Sequence, residues 1–438
     1  MSAAGNRRIA VIGAGIGGLT FAIAARPYGI HVDLYEQTAE LREVGAAVAL
    51  SANATRFFEQ FGLASTSGPA KAGHYGDSGS PEAGHYGDSG SPEAGHYGGL
   101  ASRWSEVSHL IYRDGRDGRL IGKHEVGAAY RQRFGAPYVG IHRADLQAVL
   151  SSAAGLDRIH LNKRLVDIDD SGACASVRFD DGTSSEADLV IGADGARSFV
   201  RQWMLGYDDA LYSGCSGFRG IVPIDQLARL PDPTALQFWM GPGGHLLHYP
   251  MGNGDINFLL VERQPSPWPY RDWTMPGREG EQLRHFAQWH PAVVEMITAH
   301  PISNRWGLFH RPPLGRWTKG RVTLLGDAAH QLAPHHGQGA NQSIEDAIVL
   351  AACLAEAGPG PLADSIAQYE RLRRGRTRKV QYASISAVDV LHLPDGDTAD
   401  RRNVRLASFD GALHHLGWIH EFDAGSQEPS ERQGGTWL

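Results

Sequence analysis

RRIAVIGAGIGGLTFAIAARPYGIHVDLYEQ, residues 7–37, is the stretch that decides the fold. Ile9 to Ile12 has the length and composition of a short buried strand. Gly13, Gly15 and Gly18 follow it as G-x-G-x-x-G, an apolar helix comes next, and HVDLYE reads as a second strand ending at Glu36. In such a unit the first glycine permits the turn, the second lets the backbone approach a pyrophosphate, and the third lets the helix pack on the strand. The helix amino terminus offers free N–H groups to the phosphates. Glu36, 18 residues beyond Gly18 with Gln37 beside it, is placed to accept from ribose hydroxyls. The stretch predicts a Rossmann-like dinucleotide site but does not choose between NAD and FAD.

Two later stretches repeat the strand-then-glycine pattern. Leu189–Ile191 runs into Gly192-Ala193-Asp194-Gly195, and Val322–Leu325 runs into Gly326-Asp327. After the second, Ile344, Ile348, Ala351 and Ala355 give a long helix its apolar stripe, which Gly358-Pro359 ends. Asp327, at a strand end, can bind hydroxyls of an extended ligand chain. Gly337, Gly339 and Ala340 leave room for a flat ring against the backbone. The following helix amino terminus favours negative charge on that ring, such as reduced flavin carries at N1.

The 438 residues suffice for two or three domains, or for one α/β body with an inserted domain. A formal charge of −7 argues against nucleic acid as a partner. Cys174, Cys215 and Cys353 are odd in number and far apart, which fits a reducing, cytoplasmic compartment. Arg7-Arg8 before the apolar run to Ala25 imitates an export signal. The run is short for a membrane span, however, and the nucleotide turn explains its four glycines. No membrane partner and no metal is expected.

In this order the three motifs resemble the FAD-dependent aromatic hydroxylases, flavoprotein monooxygenases of the para-hydroxybenzoate hydroxylase fold, in their salicylate hydroxylase-like branch. The resemblance covers nearly the whole chain. It implies an α/β protein: a Rossmann-like FAD-binding domain (1–200 and 305–360), an inserted, mainly antiparallel β-sheet substrate domain (201–304), and a C-terminal helical region and tail (361–438). It implies that Gly13, Gly15, Gly18 and Glu36 form the dinucleotide fingerprint, and that Asp194-Gly195 serves both FAD and NAD(P)H. Asp327 would hold the ribityl chain. Arg143, in GIHRADLQAVL, would lie beside the flavin chain, and the backbone at Leu165 would meet the adenine. The implied reaction is hydroxylation of a small phenolic, salicylate-like acid through a C4a-hydroperoxyflavin, with NADH or NADPH as a transient co-substrate and O2 as oxidant.

GCSGFRGIVPI, ALQFWMGPGGHLLHYPMG and DINFLLVER read as successive strands of the substrate sheet. On a strand His245 and Tyr249 share a face while His248 points away. The resemblance suggests His245 as the base for the phenol proton and Tyr249 as a ring-positioning donor; histidine suits proton transfer near neutral pH. His335 either contacts substrate or caps its loop. Arg219 either meets a carboxylate bidentately or forms an internal ion pair. Three residues depart from the family pattern. Gln331 replaces a usual proline and should loosen its loop. Ala49 replaces a histidine of the 6-hydroxynicotinate branch and disfavours that substrate. Ser51 replaces another proline.

One stretch stands outside the resemblance. AGHYGDSGSPEAGHYGDSGSPEAGHYGG, residues 72–99, repeats an eleven-residue unit. It is rich in Gly, Ser and Pro and nearly free of aliphatic residues, so it reads as an inserted surface loop. His74, His85 and His96 are spaced too widely for an ordinary metal motif. An active-site lid is a second reading of the loop. A monomer or homodimer is expected. The functional alternatives are an oxidase, an epoxidising monooxygenase of an apolar substrate, or a flavin-binding redox sensor.

Overall fold

The computed structural model describes residues 7–41, 47–64, 99–356 and 361–426. The 7–37 stretch forms the strand Ile9–Ile12, the helix Ile16–Ala25 and the strand Val32–Tyr35, which stops one residue before Glu36. These strands sit inside a six-stranded sheet ordered Thr318–Lys319, Val322–Leu324, Leu189–Gly192, Ile9–Ile12, Val32–Tyr35 and Ile159–His160. All neighbours are parallel except the first pair. The strands that carry the three glycine motifs are therefore adjacent, and their carboxyl ends open on one crevice, where parallel α/β sheets bind ligands. The helix Ile16–Ala25 is buried at every position, packed against the helices Arg143–Ala154 and Gly339–Glu356.

The fingerprint glycines have physical reasons to be glycine. Gly13 has φ +105°, and a Cβ there would lie 2.5 Å from the Ala193 carbonyl oxygen. A Cβ on Gly18 would lie 2.2 Å from the Gly13 carbonyl oxygen, so this residue lets the helix close on the turn. At Gly15 a Cβ would meet nothing within 4 Å, because that face of the loop looks into the crevice.

A second, eight-stranded sheet runs Thr274–Met275, Arg305–His310, Leu211–Pro223, Asp255–Arg263, Gly244–Pro250, Leu236–Gly241, His109–Asp114 and Leu120–Glu125. Its centre is antiparallel, with one parallel pair in which Leu236 lies opposite Leu110. The sheet is wider than residues 201–304: the hairpin at 109–125 joins one side and Arg305–His310 the other. The hairpin covers what would otherwise be the open edge of Leu236–Gly241, satisfying its backbone. The hairpin's turn spans Asp114 to Arg119, with the Gly118 N–H donating to the Asp114 carbonyl.

Alternation sorts the sheet's two faces. Phe218, Trp239, Leu246, Ile256, Phe258 and Leu260 form one apolar cluster with Val293 and Met296 of the helix Pro291–Thr298. The opposite face looks toward the dinucleotide crevice. Both faces are covered, so eight of the nine residues of Asp255–Arg263 are buried.

The 72–99 repeat and its three histidines lie outside the described residues, except Gly99. The Leu100 N–H donates to the Leu63 carbonyl at 2.8 Å, so the two described residues lie side by side. The strand Trp104–Glu106 that follows pairs normally with Val139–His142. The C-terminal region forms the helices Leu362–Leu391, Asp397–Leu406 and Phe409–His420. No helix among the described residues is long and apolar enough to cross a membrane. No cluster of three His, Cys, Asp or Glu side chains suited to a metal occurs among them.

Candidate active site

The crevice at the strand ends is a cleft of about 800 Å³. Gly13, Gly15, Glu36, Gln37, Arg143, Leu165, Asp194, Gly195, Asp327, Gly339 and Ala340 line it. Gly18 lies beneath the turn, and Gly337 lines the adjoining cavity. Two carboxylates have local duties. Glu36 Oε2 accepts from the Ala14 N–H at 3.0 Å, tying the strand end to the glycine turn. Asp194 accepts from the Ser198 hydroxyl at 2.5 Å and from the Val200 N–H at 3.1 Å, so it fixes the start of the helix Phe199–Leu205. Asp327 differs: its carboxylate accepts no hydrogen bond among the described residues, and burial pushes its pKa up against the pull of His330 and Arg143. It is a partly desolvated acceptor that faces the cleft.

Behind the Gly326-Asp327 turn lies a buried ionic network that sequence motifs do not signal. Asp346 accepts from the Gly326 N–H at 3.0 Å and pairs with His330 at 2.5 Å and Arg373 at 2.7 Å. Glu345 pairs with Arg373 at 2.5 Å and with Arg376 at 2.7 Å, and accepts from Asn53 at 2.6 Å. Burial alone would raise the Asp346 pKa, but His330 and Arg373 outweigh it and hold it down to about 2. Two family departures are absorbed nearby. The Ser51 N–H donates to Asn341 at 2.9 Å, which proline could not do. Gln331 does not loosen its loop, because its side chain donates to the Phe309 carbonyl at 3.1 Å.

A second cavity, about 260 Å³, shares Arg143, Asp327, Gly339 and Ala340 with the cleft. It falls just below the range of roughly 300–1,000 Å³ typical for drug-sized ligands, a size suited to one substituted ring. Sheet register lays out its floor. Arg219, Leu259, Leu247, Phe238 and Tyr112 lie across five strands in one row. Asn257, Tyr249, Leu236 and Leu110 lie in the next. The loop from Leu332 to Gly337, with His335, forms the other wall, joined by Ala49, Tyr138, Leu391 and Leu416. Sequence reasoning missed Tyr112, Tyr138 and Asn257, which come from segments remote along the chain.

Tyr249 and His335 thus reach the cavity, but His245 does not line it. Its ring sits behind, 5.8 Å from that of His335, with Nδ1 at 2.7 Å from His392 Nε2. Burial, with His392 and His335 nearby, holds the His245 pKa well below its usual value. Arg219 is half-buried, its guanidinium 4.8 Å over the Trp306 ring, and it makes no ion pair among the described residues. Burial, reinforced by Arg143, lowers its pKa. A desolvated cation without a counter-ion on a largely apolar floor favours an anionic guest.

Residues 7–384 match the protein family described as FAD binding domain. The chain belongs to that family. A 3-amino-4-hydroxybenzoate 2-monooxygenase of Streptomyces platensis is 35% identical over 95% of this chain and 96% of its own length. The Klebsiella pneumoniae protein HpxO, solved with FAD and uric acid, superposes with a TM-score of 0.74 at 26% identity, over 92% of this chain and 93% of its own. A salicylate hydroxylase substrate complex gives a TM-score of 0.73 at 25% identity, over 96% and 97%.

The chain is an FAD-dependent aromatic monooxygenase, and its cleft fits the cofactor. Gly15 leaves open space that phosphates could fill, and Asp327 offers an acceptor unused among the described residues. Bound FAD would supply the electron transfer from NAD(P)H to O2 and the activation by which one O2 oxygen is passed to the ring. Asp327→Ala should weaken FAD binding about 10- to 100-fold, the effect of one or two charge-assisted hydrogen bonds. The check is the absorbance of the purified protein near 450 nm, with FAD titrated back. Full yellow occupancy would remove Asp327 from the cofactor site.

Proposed function

We propose that the protein hydroxylates a small aromatic acid bearing a ring hydroxyl, 3-amino-4-hydroxybenzoate being the first compound to test. The observation that carries this reading is Arg219, a cation without a counter-ion among the described residues, set in one row with Leu259, Leu247 and Phe238 beside the cofactor cleft. Arg219 holds the carboxylate, and the leucines and Phe238 take the ring face. Tyr249 and Asn257 in the next row bind the ring's polar substituents. Strands two apart lie about 10 Å from each other, so Arg219 and the Tyr249 strand can hold opposite ends of one ring. His335 on the cavity wall meets the ring hydroxyl, and Arg143 and Asp327 hold the cofactor at the seam. Ala49 on the wall leaves 6-hydroxynicotinate disfavoured.

The test is NADH and NADPH oxidation by the FAD-loaded protein with 3-amino-4-hydroxybenzoate, 3-hydroxybenzoate, salicylate and the corresponding amides, scoring hydroxylated product and hydrogen peroxide together. The expected result is stimulation by one acid, near one product per NAD(P)H, with its amide inert. An amide as effective as the acid, or stimulation only by uncharged rings, would end this reading.

A further inference from the structure

Asn257 is an unusual occupant of its strand. Asp255–Arg263 runs through the middle of the eight-stranded sheet, paired with Leu211–Pro223 on one side and Gly244–Pro250 on the other. Asparagine is depleted in strands, yet here it stands in register between Ile221 and Tyr249. It is 7% exposed and lines the cavity of about 260 Å³. Its side-chain amide makes no hydrogen bond among the described residues. The hydroxyl of Tyr249, buried and directly across from it, makes none either. Buried polar groups are normally paired, and leaving one unpaired costs stability, so an amide and a hydroxyl turned into one cavity call for a guest. Directly opposite residues have their Cβ atoms about 4.5–5.5 Å apart. Asn257 and Tyr249 therefore form one polar edge beside the apolar Leu247 and Leu259.

Arg219 marks the opposite edge. Its guanidinium lies over Trp306, whose strand flanks Leu211–Pro223 on the side away from Asn257. The two head groups thus straddle the strand of Arg219, and strands two apart lie about 10 Å from each other. A benzoate whose carboxylate meets Arg219 turns its meta and para positions toward Asn257. The amide presents an N–H donor and a C=O acceptor side by side in one plane. A lone ring hydroxyl satisfies one of the two with good geometry, not both. A hydroxyl with a donor on the neighbouring ring carbon satisfies both. Tyrosine cannot make that distinction, because its hydroxyl turns to donate or accept as its neighbour requires.

We propose that Asn257 is a specificity-determining residue: it selects aromatic acids whose ring hydroxyl, para to the carboxylate, has a hydrogen-bond donor on the adjacent carbon, an amino group or a second hydroxyl. The proposal rests on the aromatic-acid reading above and narrows it from phenolic acids to ortho-aminophenol and catechol acids. Asn257 Nδ2 donates to the hydroxyl oxygen, and Oδ1 accepts from the neighbouring N–H or O–H. Tyr249 completes the same edge. The ring nitrogens of His335, on the loop that forms the other wall, have no partner among the described residues and are left for the hydroxyl hydrogen. An acid without the second donor leaves Oδ1 buried and unpaired. A site built to hydrogen-bond a substituent rejects the analogue that lacks it, because the site's own polar group is then left without a partner.

The test measures Kd for FAD-loaded wild type, Asn257→Leu and Asn257→Asp from the change in flavin absorbance on binding, with no NAD(P)H present. The ligands are 3-amino-4-hydroxybenzoate, 3,4-dihydroxybenzoate and 4-hydroxy-3-methylbenzoate, whose methyl group matches the amino group in size but cannot donate. The amides of the amino and methyl acids are measured beside them. Wild type should bind the amino and dihydroxy acids about 10- to 100-fold more tightly than the methyl acid. Asn257→Leu should bring all three within about threefold of one another, with FAD content unchanged. A purely structural role for Asn257 would weaken all three alike and leave their ratio where it was. Asn257→Asp has the same shape and keeps an acceptor, so it should retain the preference for amino over methyl even where both acids bind more weakly. A wild-type preference below threefold, a preference undiminished in Asn257→Leu, or one lost in Asn257→Asp overturns the proposal. The amides separate the two readings. If only they bind, the carboxylate reading fails, and the amino-to-methyl ratio among them still decides what Asn257 does. If neither acids nor amides bind, both readings fall.

Discussion

Arg219→Met should raise the KM for the aromatic acid about 100- to 1,000-fold while leaving FAD content and fold unchanged. Methionine preserves much of the packing over Trp306 and removes only the charge and its hydrogen bonds. A bidentate guanidinium–carboxylate contact consists of two charged hydrogen bonds, each worth ~1.5–3 kcal/mol, made here beside the apolar Leu259, Leu247 and Phe238. Discrimination between acid and amide should fall by a similar factor, because the loss is specific to the anion. Flavin reduction should proceed with more hydrogen peroxide per NAD(P)H, since a mispositioned ring intercepts less of the activated oxygen. Arg219→Lys should recover part of the affinity but not the full discrimination, for want of the planar fork. Steady-state kinetics with the acid–amide pair provides the check. A KM within threefold of wild type would show that the carboxylate lies elsewhere.

Arg373→Met should destabilise the protein by ~3–5 kcal/mol at pH 7, the usual result of removing one partner from a buried ion pair. Arg373 is fully buried and serves Asp346, Glu345 and the Gln342 side chain at once. Without it, Arg376 still neutralises Glu345 and His330 still pairs with Asp346, but two buried carboxylates share one permanent cation. The pH dependence has a definite sign. In wild type the Asp346 pKa lies below its ordinary 3.8, so its stabilisation is complete above that value and is lost as pH falls through about 2. In the variant desolvation is no longer outweighed, the carboxyl pKa rises, and protonation relieves the unpaired charge. The deficit should therefore be smaller at pH 5 than at pH 7. Urea midpoints of the two proteins at both pH values test this; a deficit that is constant, or that grows on acidification, would contradict the network's role. Because Asp346 also holds the Gly326 N–H, FAD affinity should fall together with stability.

Much of the cofactor half was legible because its signals are local. Gly13 must be glycine for a turn made within six residues, and strand, turn and helix stand in chain order. The same held for the three motif strands, which become neighbours through parallel pairing that the α/β pattern implies. Strand alternation placed His245 and Tyr249 on one face and His248 on the other. It could not say which end of that face borders the cavity, because that depends on where the loop Leu332–Gly337 comes down on the sheet. Only Tyr249 borders it, and His245 stands one ring behind.

By itself the sequence determined the dinucleotide-binding body, the presence of a second sheet, and a set of motif residues that converge on one cleft. The tertiary structure decided the rest. The hairpin 109–125 belongs to the substrate sheet because an edge strand more than 100 residues later needs its backbone satisfied. Arg219 stands on the cavity floor rather than in an ion pair, because no carboxylate among the described residues reaches it, and residue type cannot reveal that. His392 and the Arg373 network depend on where one 30-residue helix crosses the body. Burial, partner choice and charge compensation are properties of segments brought together from far along the chain, and spacing within any one segment does not encode them.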